Sequence, residues 1–314
     1  MVSPPAAKFR RRNLNPLHNG NGAVSCCSTA VNKLLRHFWR LLRIAAVASY
    51  RNDAFGIAKG VAYSGLLSFF PVLTTIAALL VQTHAEQTAQ TITSFLSEVA
   101  PPGTERLIVR LFVVNGSRPV YLLVTAVLLA AWAASGAIIT LMSGFQSTYH
   151  LPSGRSFFKE RGMAILLVFV SIVPLWIASV LIVFGATAER VVFSDFAIFS
   201  TGVSGWAAFA GQAVRYGIAL AALVSSTAFV YYLGPNRQQS FRLVFPGAVL
   251  ATIIALLATL AVGWYLRHVT NYNVLYGSVG AGLALLVWMY VLAVVVLFGC
   301  EFNAALERAR MKSE

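Results

Sequence analysis

The chain has 314 residues, 58% of them apolar and 11% charged, with a mean hydropathy of +0.74. A soluble domain carries roughly 25% charged residues, so a solvated globule, a nucleic-acid-binding module and a disordered chain are all excluded. The 24 Lys and Arg outnumber the 10 Asp and Glu to give a net charge of +14. What remains is an all-α polytopic membrane protein, because barrel strands would alternate polar and apolar residues.

In chain order, residues 1–32 come first, with Pro4, Pro5, Asn13, Asn15, Asn19 and Asn21, and read as a disordered basic cytoplasmic tail. Arg10, Arg11 and Arg12 point to anionic lipid headgroups rather than to nucleic acid. No apolar stretch follows them, so they do not read as an export signal. Residues 33–51 then place Leu34, Leu35, Phe38, Leu41, Leu42 and Ala45 on one stripe. Lys33, Arg36, Arg40 and Arg43 interleave as a basic face. This pattern predicts an amphipathic helix lying in the membrane interface.

The membrane domain is expected to occupy residues 33–308, followed by a short cytoplasmic tail at 309–314. Six apolar runs, at about 61–82, 120–145, 163–187, 212–233, 244–266 and 276–300, are each near the roughly 20 residues that a spanning helix needs. In lipid every backbone polar group must be satisfied within such a segment, so the expected fold is a six-helix transmembrane bundle. Between the first two runs, residues 83–119 carry two apolar stripes separated by Pro101-Pro102-Gly103. They are expected to form an outer helical hairpin, because so long a loop is rarely structureless. Phe193, Phe196, Phe199 and Trp206 suggest an interfacial aromatic belt.

Basic residues set the orientation. Eighteen Lys and Arg fall on the side of the two termini and six on the other, which places both termini in the cytoplasm. Cys26, Cys27 and Cys300 form no CxxC pair and read as reduced thiols. The five histidines are scattered, and no HExxH, P-loop or G-x-S-x-G pattern is present. No catalytic, metal or cofactor site is therefore expected.

Two constellations stand out. In the first span Gly60, Ser64, Ser68, Pro71 and Thr75 share a face next to Tyr63. Small residues at that spacing make a packing seam, and a proline-kinked helix can equally line a polar path. Trp132, Ser135, Gly136, Thr140 and Gly144 repeat the pattern in the second span. The last span opens on Asn273, Tyr276, Gly277, Ser278 and Gly280, with Trp288 and Tyr290 farther along. Ser64 and Ser68 are expected to face the stretch 290–297 of that last helix.

The second constellation ends the last span with Glu301 and Asn303. A carboxylate at the negative end of a helix is electrostatically misplaced, so a basic partner is expected. Arg242 or Arg237 comes first and Arg51 second, with Asn303 adding an amide contact. A simply solvated carboxylate is the alternative.

Several of these motifs are similar to those of the YihY/BrkB family of bacterial inner-membrane proteins. They are Ala62-Tyr63-Ser64, Leu66-Leu67-Ser68 with Pro71, Ala131-Trp132-Ala133-Ala134-Ser135 and Tyr232-Leu233-Gly234-Pro235-Asn236. Tyr276-Gly277-Ser278-Val279-Gly280-Ala281, Trp288-Met289-Tyr290 and Gly299-Cys300-Glu301-Phe302-Asn303-Ala304 complete the pattern. Cys300 stands where the family commonly has alanine. The resemblance covers residues 35–308 and implies a six-helix inner-membrane protein. Members of the family have been labelled ribonuclease BN and virulence or serum-resistance factor. RNA cleavage is disfavoured here because no metal or general-acid cluster is in view. Two function classes follow: transport or lipid handling across the membrane, and a structural or regulatory membrane component. Membrane lipids are the expected partners, nucleic acid is not, and self-association is left open.

Overall fold

A long apolar run leaves the backbone no partner in lipid but itself, which is why each such run here folds as a helix. The computed structural model describes residues 21–82, 120–152, 156–196, 204–268 and 272–311. Among them are seven helices: α1 (Asn21–Arg51), α2 (Ala54–Gln82), α3 (Val120–Thr148), α4 (Phe157–Phe196), α5 (Ser204–Leu233), α6 (Phe241–His268) and α7 (Tyr272–Met311). Six of these are long and apolar enough to span: Ala54–Ile76, Leu123–Thr148, Phe157–Val180, Gly211–Leu233, Phe241–Leu266 and Gly282–Met311. The six expected runs are all present, and α4 and α7 extend to 40 residues each.

By contact the chain divides into a first unit through Leu42 and a second from Arg43 onward. Helix α1 begins at Asn21 and so takes in residues 21–32, which composition assigned to a disordered tail. After Gly22 the stretch 23–31 contains neither Gly nor Pro, and nothing local stops the helix there. The hairpin expected at 83–119 lies outside the described residues, as do Phe199 and the side chains of Phe193, Phe196 and Trp206.

Within the second unit α2 packs on α3 and α7, α3 on α4, α4 on α5, α5 on α6 and α6 on α7. The spans thus close a ring, and α3 also touches α7 across it. Small residues set the register. A Cβ added at Gly60 would stand 3.1 Å from Thr140, one at Gly136 would stand 4.0 Å from Ser64, and one at Gly65 would stand 3.0 Å from Met289. Helix α2 is therefore antiparallel to both neighbours. Ser64 meets α3 at Gly136, and the adjacent Gly65 faces Met289 of α7. One step along the helix turns the direction by about 100°, which is enough to change the partner.

We call the end where α2, α4 and α6 begin, and α3, α5 and α7 finish, the basic end. The largest buried side chains gather there, among them Phe145, Tyr231, Leu297 and Glu301. Phe145 and Tyr231 meet edge to face with ring centroids 5.6 Å apart, a favoured aromatic geometry.

Candidate functional site

The polar centre of the basic end is built where α1 turns into α2. Asp53 adopts φ 52°, a left-handed conformation that aspartate tolerates better than most residues. The turn places Asn52 against the end of α7. Asn52 Nδ2 donates to Glu301 Oε1 at 2.6 Å, and Thr148 Oγ1 donates to the same oxygen at 3.0 Å. Ser147 Oγ donates to the Asn52 carbonyl at 3.2 Å, and Arg308 Nη2 to the Thr148 carbonyl at 3.0 Å. Glu301 is 1% exposed, and its Oε2 is buried without a hydrogen-bond partner.

The expected ion pair of Glu301 is therefore corrected. Arg237 is bound to Glu307, with Nη2 at 2.6 and 2.7 Å from its two carboxylate oxygens, and it lies 4.2 Å over the Tyr149 ring. Arg242 and Arg51 are exposed. Glu307 sits farther out along α7, where a guanidinium keeps part of its hydration, whereas reaching Glu301 would strip it. Two neutral donors hold Glu301 instead.

Asn303, 3% exposed, does not serve Glu301 either. Its Oδ1 accepts from Gly247 N at 2.7 Å and its Nδ2 donates to the Val244 carbonyl at 2.9 Å. These two backbone groups flank Pro246, which lacks an N–H and disturbs the α6 ladder. The Asn303 amide thus ties the first turns of α6 to the end of α7. Gly247 must be glycine for this approach, since a Cβ there would collide with Gly299 O and the Asn303 amide. Tyr231 adds a third tie, its hydroxyl donating to the Val296 carbonyl at 2.6 Å.

The first constellation separates into parts. Tyr63 is 61% and Trp132 53% exposed, so both face outward, whereas Ser68 and Ser135 are buried. The Ser68 hydroxyl donates to the Gly65 carbonyl and the Ser135 hydroxyl to the Trp132 carbonyl, both at 2.7 Å. Pro71 is half-buried inside a continuous α2. Trp288 Nε1 donates to Thr259 Oγ1 at 3.2 Å, Tyr290 packs against the core, and Gly280 is buried. Asn273, Tyr276, Gly277 and Ser278 lie in the first turns of α7, with their side chains outside the described residues. A recess of about 710 Å³ lies elsewhere, at the basic end, between Met163, Tyr232, Pro235, Asn236, Arg237 and Gln239. Among the described residues no three His, Cys, Asp or Glu side chains converge as a metal site.

Sequence reasoning missed Arg161, which counted only as one of the loop cations. Its Cζ lies 4.0 Å over the Trp132 ring, and Nη2 donates to the Trp132 carbonyl at 2.7 Å. Trp132 stands sixteen residues before the end of α3 at Thr148, about 24 Å along its axis. The adjacent Glu160 accepts from Gln146 Nε2 at 3.4 Å. An arginine four residues inside a spanning helix, on a chain this poor in charge, was the available signal.

Compared with known proteins, residues 46–314 match the family described as Virulence factor BrkB. The ribonuclease-like protein YfkH of Bacillus subtilis is 27% identical over 250 residues, covering 79% of this chain and 88% of YfkH. A UPF0761 membrane protein of Chromohalobacter salexigens is 26% identical over 82% of this chain and 61% of its own. Another, from Pseudoalteromonas translucida, is 29% identical over 47% of this chain and 48% of its own. No solved structure matches the chain.

Proposed function

The chain belongs to the BrkB family of integral membrane proteins, and from that premise we propose that it moves or handles lipid across a bacterial inner membrane. The observation that carries this reading is the unequal packing of the two halves of the spans. At the basic end Gly144, Gly234, Gly247 and Gly299 are pressed against neighbours and Gly162 alone of the glycines described there is open, whereas toward the far end Gly217, Gly263 and Gly282 all have nothing within 4 Å. A protein that passes an amphiphile needs one region that stays shut and one that yields, and mobile parts are drawn from the less packed region. The eighteen-to-six distribution of basic residues supports a cytoplasmic basic end, with anionic headgroups beside it.

The second reading, a structural or regulatory membrane component, is favoured by the satisfied hydroxyls of Ser68 and Ser135. Those groups serve their own helix and do not solvate a path. The ribonuclease wording attached to YfkH is not carried over, because cleaving RNA takes converging acid, base or metal groups.

The deciding experiment reconstitutes the purified chain into vesicles holding a fluorescent phospholipid in both leaflets and quenches it from outside. Quenching beyond the half seen in empty vesicles is the expected result. Quenching that stops at half favours the structural component.

A further inference from the structure

We propose that Arg161 is a phosphate-reading site inside the bilayer, where its guanidinium takes the phosphate of a lipid that has entered the α3–α4 face. The inference rests on the lipid-handling reading and names the group recognised. An arginine four residues into a spanning helix can ordinarily turn its head back to the near interface and keep all five N–H groups hydrated. Arg161 does the opposite. It reaches across to α3, sets its Cζ over the Trp132 ring and spends one N–H on the Trp132 carbonyl. That carbonyl already accepts from Ser135, so it is a crowded acceptor and a weak reason for the detour.

What remains of the guanidinium calls for an anion. Its Nε is buried without a hydrogen-bond partner, and the nearby carboxylate of Glu160 is engaged by Gln146. A planar fork of N–H groups matches phosphate or carboxylate bidentately, and in a membrane the abundant fork-matching anion is the phosphate of a lipid. The surroundings suit the rest of such a molecule. Leu128, Leu129, Trp132 and Phe169 are all about half exposed or more, a wall on which acyl chains can lie. Gly162, next to the arginine, has nothing within 4 Å, so no neighbouring helix covers α4 at that residue.

The test uses the full chain in nonionic detergent and reads the concentration dependence of its thermal unfolding. The probes are short-chain phosphatidylglycerol, the matching diacylglycerol without phosphate, and inorganic phosphate. Phosphatidylglycerol is expected to protect the wild-type chain and diacylglycerol to leave it unchanged. Arg161→Gln should weaken the apparent affinity about tenfold or more, as loss of a charged hydrogen bond does. Arg161→Lys keeps the charge but not the fork and should fall between. Protection by inorganic phosphate that is likewise lost in Arg161→Gln supports the site and assigns it to phosphate whatever its source. Equal protection of wild type and Arg161→Gln, or protection by diacylglycerol alone, overturns it. If Arg161→Gln does not fold, Trp132→Leu should weaken binding severalfold, and unchanged binding would overturn the site. None of these readouts requires lipid to cross a membrane. Binding can therefore hold while vesicle quenching fails, and the two readings fail separately.

Discussion

The two halves of the spans are made of the same apolar residues and are held together differently. At the basic end, large and polar side chains are buried among the alanines: Phe145, Tyr231 and Leu297 beside Glu301 and Asn303. Toward the far end, the buried residues among those described are small, such as Ala130, Ala178 and Ala219. Lipid tails are as apolar as leucine, so burying apolar surface between spans yields little, and close packing with internal hydrogen bonds must supply the association. Only the basic end has both in quantity. The contrast teaches that hydropathy fixes which segments enter the membrane, while a few glycines and amides decide which of them are tied together.

A glycine pair breaks the comparison most sharply. Gly247→Ala drives a Cβ into Gly299 O and the Asn303 amide, neither of which can yield without separating α6 from α7. It should cost about 3 kcal/mol or more in thermal unfolding in detergent. Gly263→Ala, with nothing within 4 Å, should be neutral or stabilise by about 0.5–1 kcal/mol through helix propensity. Equal effects would remove the distinction between the halves.

Asn303→Ala comes next. It removes the amide that bonds Gly247 N–H and Val244 C=O and ties α6 to α7. Each buried unsatisfied group costs about 1–3 kcal/mol, and local adjustment around the proline recovers part of that. The expected loss is about 2–3 kcal/mol, read from the same unfolding assay, and a change below 0.5 kcal/mol, an order-of-magnitude bound, would show that the amide is dispensable.

Glu301 sharpens the comparison because charge and shape separate there. Glu301→Ala removes the acceptor shared by Asn52 and Thr148 and should destabilise by about 2 kcal/mol. Glu301→Gln keeps an acceptor and relieves a buried carboxylate that has no basic partner, so it should leave stability unchanged or raise it by about 1 kcal/mol. A large loss in Glu301→Gln would mean that a cation does neutralise this carboxylate. The smallest effect belongs to the partly hydrated pair Arg237–Glu307, each side chain 22% exposed. A double-mutant cycle should give a coupling of about 1 kcal/mol.

How much of this was legible follows from the range of each interaction. The six spans were readable because a missing charge is a local signal, and the small-residue seam of α2 because its period is local too. The partner of Glu301 was not. Asn52 lies 249 residues away, in a turn whose sequence looks like any connection between two helices, and electrostatics alone favoured an arginine. Asn303 was no more legible, because the backbone it ties, Gly247 N–H and Val244 C=O, lies 56 and 59 residues away. Arg161 was visible and was set aside with the loop cations, because charge counting records the side of the membrane and not the direction in which a side chain turns.

The most direct test of the unequal halves is amide hydrogen exchange, resolved by mass spectrometry, on the chain in lipid nanodiscs. Lipid shields both leaflets alike, so any difference between the halves reports packing within the protein. The account predicts slow exchange for residues 244–251 and 295–305 and exchange at least tenfold faster, an order-of-magnitude expectation, for residues 211–220 and 258–266. Uniform protection along α5, α6 and α7 would contradict it.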